Sequence, residues 1–130
     1  MKILIVDDDK TTRKLLTLYL KAKGYEVVAA ENGLEAMEKL GTENVNLVVS
    51  DMNMPFMDGV ELVKNMRNDP VLAEMPVIML TTEADEDEKK RAYEAGVNDY
   101  LVKPSNAEQI TESIKRIVKQ FFYKGGEAGV

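Results

Sequence analysis

The chain has 130 residues, with 17 Lys+Arg against 23 Asp+Glu for a formal net charge of -6, 45% apolar residues, and no His, Cys or Trp. That length fits one domain able to bury roughly two thirds of its unfolded surface, and the missing residue types exclude disulfides, thiolate nucleophiles, a His general base and Cys/His zinc sites. The acidic balance argues against a general duplex-DNA or anionic-membrane surface, since both need clustered Lys/Arg; no direct nucleic-acid binding and no membrane association are expected.

In chain order, Met1-Lys2-Ile3-Leu4-Ile5-Val6 holds four consecutive apolar residues before three aspartates. That is short of the roughly 7–15 of a signal-peptide core. No run approaches the ~20 residues of a membrane span, so a cytoplasmic location is expected. Ile3 to Val6 reads as a first strand. A helix follows from about Thr11 to Lys23, with Leu15, Leu16, Tyr19 and Leu20 inward, Lys14, Lys21 and Lys23 outward, and Gly24 closing it. Then come a strand over Glu26 to Ala30, a weaker helix over Leu34 to Leu40, a strand over Asn46 to Ser50 and a helix over Gly59 to Met66. A strand over Pro76 to Leu80 and a helix over Ala84 to Ala95, closed by Gly96, precede a last strand over Asp99 to Val102. The run Glu83 to Arg91 places acids before bases, which suits the dipole of a solvated helix. In the final helix Ile110, Ile114, Ile117 and Phe121 share one face. The domain is expected to span 1–123, with a flexible tail over 124–130.

Strict alternation of strand and helix implies parallel strands joined by right-handed crossovers, with helices on both faces. The runs Ile3-Leu4-Ile5-Val6 and Val77-Ile78-Met79-Leu80 fit strands buried on both sides. The expected fold class is therefore α/β: a doubly wound five-stranded parallel sheet in the flavodoxin-like order 2-1-3-4-5. Ligands bind such sheets outside the carboxyl ends of the strands, near the point where strand order reverses. The residues just past the runs are Asp7, Asp8 and Asp9 after the first, Asp51 after the third, Thr81 after the fourth and Lys103 after the fifth. With the first and third strands adjacent, Asp7, Asp8 and Asp51 come together, and three carboxylates so placed repel unless a proton or a cation intervenes. An all-oxygen set favours Mg²⁺, Mn²⁺ or Ca²⁺ over zinc. Because Mg²⁺ takes one or two carboxylates plus phosphate oxygens, the cluster points to a phosphorylated substrate. Lys103 and Thr81 would then grip phosphoryl oxygens, and Asp51, already ionised at pH 7, would attack phosphorus to form an aspartyl phosphate.

Val6-Asp7-Asp8, Ser50-Asp51-Met52-Asn53-Met54-Pro55, Met57-Asp58-Gly59, Leu80-Thr81 and Val102-Lys103-Pro104 together resemble the signature of response-regulator receiver domains. The resemblance runs from about Lys2 to Phe122, and with Tyr100 it is most similar to single-domain chemotaxis (CheY-like) members. It implies that Asp51 is the phosphoacceptor, charged by a sensor histidine kinase, a phosphotransfer protein or a small phosphodonor. It implies that Asp8, Asp51 and the backbone carbonyl of Asn53 ligate Mg²⁺, with Asp7 holding a metal-bound water. Thr81 and Lys103 would contact the phosphoryl group, and Thr81 would move toward it as Tyr100 turns inward. Asn53 and Glu83 would tune phosphate loss, and the Lys103-Pro104 bond would be cis. The switched surface would be the fourth helix, fifth strand and fifth helix, contacting a downstream protein in a monomer or a dimer formed through that face. Three departures from the family pattern are Thr82 where a small residue is usual, Ser105 where many members have Phe, and Asp9 where chemotaxis members are apolar.

Blander readings stand beside these. Asp9 ahead of Lys10-Thr11-Thr12 reads first as a helix N-cap, Asp58-Gly59 as turn chemistry, and Tyr100 as a strand aromatic. Asp7-Asp8-Asp9-Lys10-Thr11 also reads D-x-D-x-T, the nucleophile motif of haloacid-dehalogenase-type phosphatases using Asp7 and Asp9. That family needs an acidic metal motif after the Lys, where only the helical Glu108 and Glu112 stand, and it leaves Asp51 without a role. An FMN carrier would need hydroxyls and free N–H groups in the first loop, not three anions. No phosphate-cradling Gly-rich nucleotide motif occurs. A receiver cut from a larger regulator with a DNA-binding or enzymatic output domain is the alternative to a stand-alone regulator.

Overall fold

A computed structural model describes residues 1–105 and 107–121, so the expected tail over 124–130 and the domain end at 123 lie outside the described residues. The elements are β1 (Lys2–Val6), α1 (Lys10–Ala22), β2 (Glu26–Ala30), α2 (Gly33–Thr42), β3 (Leu47–Ser50), α3 (Gly59–Arg67), β4 (Val77–Thr81), α4 (Glu86–Ala95), β5 (Asp99–Val102) and α5 (Ala107–Phe121). All strand pairs are parallel and the order is β2-β1-β3-β4-β5, the flavodoxin-like doubly wound sheet expected.

Alternation along the strands builds two cores. Leu4, Val6, Val48, Val77 and Met79 pack with Ala36 and Leu40 of α2, Val60, Leu62, Val63 and Met66 of α3, and Ala92 of α4. On the opposite face Ile3, Ile5, Leu47, Val49, Ile78 and Leu80 meet Leu20 of α1 and Ile110, Ile114 and Ile117 of α5. Successive strand side chains point to opposite faces, so a strand covered by helices on both sides must be apolar at every position. At roughly 1.5–3 kcal/mol per buried aliphatic side chain, these cores are the main source of stability.

Several boundaries differ from the sequence reading. Leu15 was expected inward but is 62% exposed. Leu16, Tyr19 and Leu20 form the stripe of α1 that meets the sheet, and Leu15, about 100° from Leu16 around the helix, falls off its edge. Phe121, one turn past the last buried residue of α5, is 39% exposed. Strand pairing starts one residue later than expected in β3 and β4, and Thr81 is the last residue of β4 rather than the first beyond it. The N-cap of α4 is Asp85, which accepts from the Asp87 and Glu88 amides, so the helix starts later than Ala84. α1 closes at Lys23 with Gly24 just beyond, at φ 94, and the Tyr25 amide reaches back to Leu20.

Gly59 opens α3 against the end of β3. A Cβ there would stand 2.4 Å from the Asp51 carbonyl oxygen and 2.9 Å from the Met52 Cα. The contact is backbone on backbone and has no side chain to rotate away. Gly59→Ala is therefore expected to cost about 2–3 kcal/mol of stability, as overpacking against a rigid neighbour does, read as a lower midpoint in urea at unchanged m.

Candidate functional site

The site is assembled by strand register. Val6 pairs with Ser50 across β1 and β3, so the next residues, Asp7 and Asp51, emerge side by side at the carboxyl edge. The Asp51 amide donates to the Val6 carbonyl at 2.8 Å, and the Asp7 amide to Ala30 at 3.1 Å. β4 pairs Thr81 with Val102 of β5, and the Lys103 amide continues that ladder by donating to the Thr81 carbonyl at 2.7 Å. Carboxylate oxygens of Asp7, Asp8 and Asp51 all lie within 4.8 Å of one another, and this is the one such cluster among the described residues. Oxygen-only donors at this spacing fit a hard divalent cation.

Each acid is held differently. Asp7 is 3% exposed; one carboxylate oxygen accepts from the Asp9 amide at 2.9 Å and the other from Lys103 Nζ at 2.8 Å. Asp8 faces solvent. The Asp51 side chain is 13% exposed, accepts from the Met52 amide at 2.8 Å, and has Lys103 Nζ at 3.9 Å. Burial pushes the Asp51 carboxyl above its ordinary value; Lys103 opposes this, the Asp7 charge adds to it, and hydrogen bonds from Thr81 and Met52 oppose it. Asp9 is exposed and caps α1, accepting from the Thr12 amide at 2.8 Å and hydroxyl at 2.6 Å, which holds its carboxyl below the usual range. The carboxylate of Asp9 is thus committed to the helix and lies outside the three-acid cluster, leaving the phosphatase-type pairing of Asp7 with Asp9 without support.

Thr81 is fully buried, favours the charged form of Asp51, and its hydroxyl accepts from the Glu83 amide at 3.2 Å. The Tyr100 hydroxyl donates to the Glu83 carbonyl at 2.6 Å, so Thr81, Glu83 and Tyr100 form one hydrogen-bonded chain from the acids to β5. Tyr100 is 6% exposed and already points inward, with the Tyr93 ring 6.4 Å away and burial raising its phenol. Thr82 and Asn53 are exposed at the mouth, Glu83 is half-buried, and the Lys103-Pro104 peptide is cis. Ser105 donates to the Val102 carbonyl at 2.8 Å.

Two contributors escaped the sequence reading. Asp58-Gly59 is more than a turn: Asp58 caps α3 and Gly59 lets the helix start against the Asp51 carbonyl. Arg13 donates to the Asp7 carbonyl at 2.8 Å, and its place one helical turn past Asp9 is the only trace of this in the sequence.

A family model described as the response regulator receiver domain matches residues 3–115. Chemotaxis protein CheY1 of Helicobacter pylori is 42% identical over 120 residues, which cover 91% of this chain and 97% of that protein. Chemotaxis protein CheY-3 of Vibrio cholerae is 40% identical over 121 residues, covering 92% of this chain and 93% of the relative. Among solved structures, Vibrio cholerae chemotaxis protein CheY4 superposes with a TM-score of 0.85 at 36% identity, over 89% of this chain and 97% of that one. The receiver domain of a signal transduction histidine kinase from Syntrophus aciditrophicus gives 0.86 at 33% identity, over 93% and 92%.

The raised Asp51 carboxyl has a thermodynamic consequence. A group whose native pKa lies above its unfolded value contributes stability below the unfolded value, near 4, and that contribution is lost as pH rises through the native one. Asp51→Asn is therefore expected to raise the Tm at pH 7 by a few degrees in the absence of divalent cations. The gain should shrink as the pH approaches 4, as followed by thermal unfolding across pH.

Proposed function

The chain belongs to the response regulator receiver family as a CheY-like member, and on that premise we propose that Asp51 is its phosphoacceptor. The observation that carries this assignment is the setting of the Asp51 carboxylate: beside Asp7 and Asp8, hydrogen-bonded by the Met52 amide, and 3.9 Å from Lys103. An Asp51 oxygen attacks the phosphorus of a phosphohistidine on a sensor kinase or phosphotransfer protein. The new P–O bond forms as the P–N bond breaks, and the electron pair leaves with the donor's imidazole. Lys103, now paired with Asp7, supplies positive charge to the transferring oxygens, and the Thr81 hydroxyl donates to one of them. Asp7, Asp8 and Asp51, with the Asn53 carbonyl, would hold Mg²⁺, or Mn²⁺ in its place. When bound, that ion neutralises charge on the phosphoryl group. Phosphate is later released by water attacking phosphorus with cleavage of the bond to Asp51, and Asn53, Thr82 and Glu83 flank the water's approach.

The phosphoryl group draws on Thr81, and the chain through Glu83 to Tyr100 carries that pull to the face formed by α4, β5 and α5, which contacts a downstream protein. The domain thus acts on its own phosphoryl group and signals by protein contact, as a monomer or a dimer through that face. We propose that it works as a stand-alone regulator; the alternative, a receiver belonging to a larger regulator with a DNA-binding or enzymatic output domain, would use the same phosphoacceptor site. Among the described residues no helix is long and apolar enough to cross a membrane, and we place its action in the cytoplasm, with the receiver spanning 1–123.

Incubation with acetyl phosphate and Mg²⁺ is expected to add the mass of one phosphoryl group to the wild type, and nothing to Asp51→Ala or to wild type in excess EDTA. An adduct that persists in Asp51→Ala and instead requires Asp7 or Asp9 would overturn the assignment. Lys103→Met should slow phosphorylation about 100-fold or more, the range for loss of a charge-stabilising donor. Thr82→Ala should change the rate of phosphorylation or dephosphorylation several-fold, and unchanged rates in both directions would remove Thr82 as a tuning residue.

A further inference from the structure

Arg13 lies on the first turn of α1, yet its side chain is only 19% exposed, because it turns back beneath the loop that carries Asp7, Asp8 and Asp9. One guanidinium nitrogen, Nη1, donates to the Asp7 carbonyl at 2.8 Å. The other, Nη2, lies 3.7 Å from a carboxylate oxygen of Glu31, which directly follows β2. The two ends it joins already touch, since the Asp7 amide donates to Ala30, the residue before Glu31. Asp7 is consequently held on its amide by Ala30, on its carbonyl by Arg13, and on its two carboxylate oxygens by the Asp9 amide and Lys103. Lys103 is the contact a phosphoryl group would draw away. Of the rest, Arg13 is the side chain from another element, and it ties the Asp7 carbonyl to α1 two residues before the Asp9 cap.

A planar guanidinium can keep a fixed hydrogen bond through one nitrogen, here to the Asp7 carbonyl, while the other stays in an ion pair, here with the largely exposed Glu31 at 3.7 Å, which an ammonium on a flexible stem does less well. Peptide planarity ties the direction of the Asp7 carbonyl to the amide of Asp8 and hence to where that side chain projects. Arg13 also sets a second fixed positive charge near the acids, one the proposed chemistry leaves in place.

We propose that Arg13 is a positioning residue for the divalent-cation and phosphoryl site: by clamping the Asp7 carbonyl and pairing with Glu31, it presets the carboxylates of Asp7 and Asp8 against Asp51. This rests on the receiver reading of the same site. It assigns Arg13 to cation affinity rather than to the transfer step, and it assigns the requirement to the fork, not to charge alone.

The test uses the full chain with Mg²⁺ as the probe. Calorimetric titration is expected to show Mg²⁺ binding weakened at least 10-fold in Arg13→Met and almost as much in Arg13→Lys, and 2- to 3-fold in Glu31→Gln. With acetyl phosphate, the Mg²⁺ concentration for half-maximal rate should rise in step, while the rate at saturating Mg²⁺ stays within about 3-fold of wild type. Amide exchange without metal should quicken at Asp8 and Asp9 in Arg13→Lys and stay unchanged in α3. Mg²⁺ affinity at the wild-type level in Arg13→Lys and Glu31→Gln would overturn the proposal, as would exchange that quickens equally throughout the chain. If Arg13→Met does not fold, those two variants decide. Wild type that neither binds Mg²⁺ nor takes up phosphoryl would count against the receiver reading instead, which separates the two failures.

Discussion

The parallel pairing of β1 with β3 is the constraint on which the rest depends. Once Val6 stands opposite Ser50, Asp7 and Asp51 have nowhere to go but beside each other. Two like charges about 4 Å apart cost roughly 1 kcal/mol in bulk water and about 4 kcal/mol at the effective dielectric of a protein surface. The strands that impose this are buried almost without exception: Ile3, Leu4, Val6, Leu47 and Val48 are fully covered and Ile5 and Val49 nearly so. Several side chains each contributing roughly 1.5–3 kcal/mol outweigh a repulsion of that size. The register is also protected, because a slip of one residue would turn each strand's side chains to the wrong core. The sheet can therefore hold a poorly compensated anionic cluster that an isolated loop would relax.

Compensation within the cluster is uneven, and the unevenness follows from topology. Lys103 directly follows β5, two strands away from β3, and its ammonium settles on Asp7 at 2.8 Å while remaining 3.9 Å from Asp51. Asp7 also takes the Asp9 amide, and Arg13 holds its carbonyl. Asp51 has weaker support in a buried setting, and burial dominates its ionisation. Of the two buried acids, the one whose charge is less compensated is the one proposed to accept the phosphoryl group. A chain with no His or Cys arranges that asymmetry with carboxylates, an ammonium, a guanidinium and backbone amides.

Much of this is legible in the sequence, for specific reasons. Apolar runs such as Val77-Ile78-Met79-Leu80 announce strands buried on both sides, and alternation with amphipathic helices leaves few topologies. Asp7, Asp51, Thr81 and Lys103 could be read as one site because the carboxyl edge of a doubly wound sheet gathers residues remote in sequence. What stayed hidden depends on close approach rather than pattern. Leu15 looks inward because α1 carries more apolar residues than the sheet covers, and only packing decides which of them lie on the stripe. Gly59 looks like a turn residue because nothing in the sequence reveals the Asp51 carbonyl beside it. Arg67 resembles a solvent-facing basic residue at a helix end, yet its guanidinium donates to the carbonyls of Leu72, Ala73 and Gly96.

That last contact bears on how a change at the site can reach a surface. Ala92 is the one buried residue of α4, and the helix opens on Glu86, Asp87 and Glu88 capped by Asp85. Its far end is fixed, since Gly96 accepts two hydrogen bonds from Arg67 and the Asn98 side chain bridges Arg67 to the Val77 amide. Its near end joins Thr81 through four residues, of which Glu83 bonds both Thr81 and Tyr100. An element with little buried area costs little to displace, and one pinned at a single end tilts rather than slides. A pull on the Thr81 hydroxyl would therefore be spent on the β4–α4 segment and the first turns of α4, while the sheet and its two cores stay as they are. Tyr100 lies under that segment with its hydroxyl on the Glu83 carbonyl, so movement of Glu83 must either carry the ring along or break the bond. With one buried residue and a first turn joined to Thr81 through Glu83, α4 would be well placed to report on a change at Asp51.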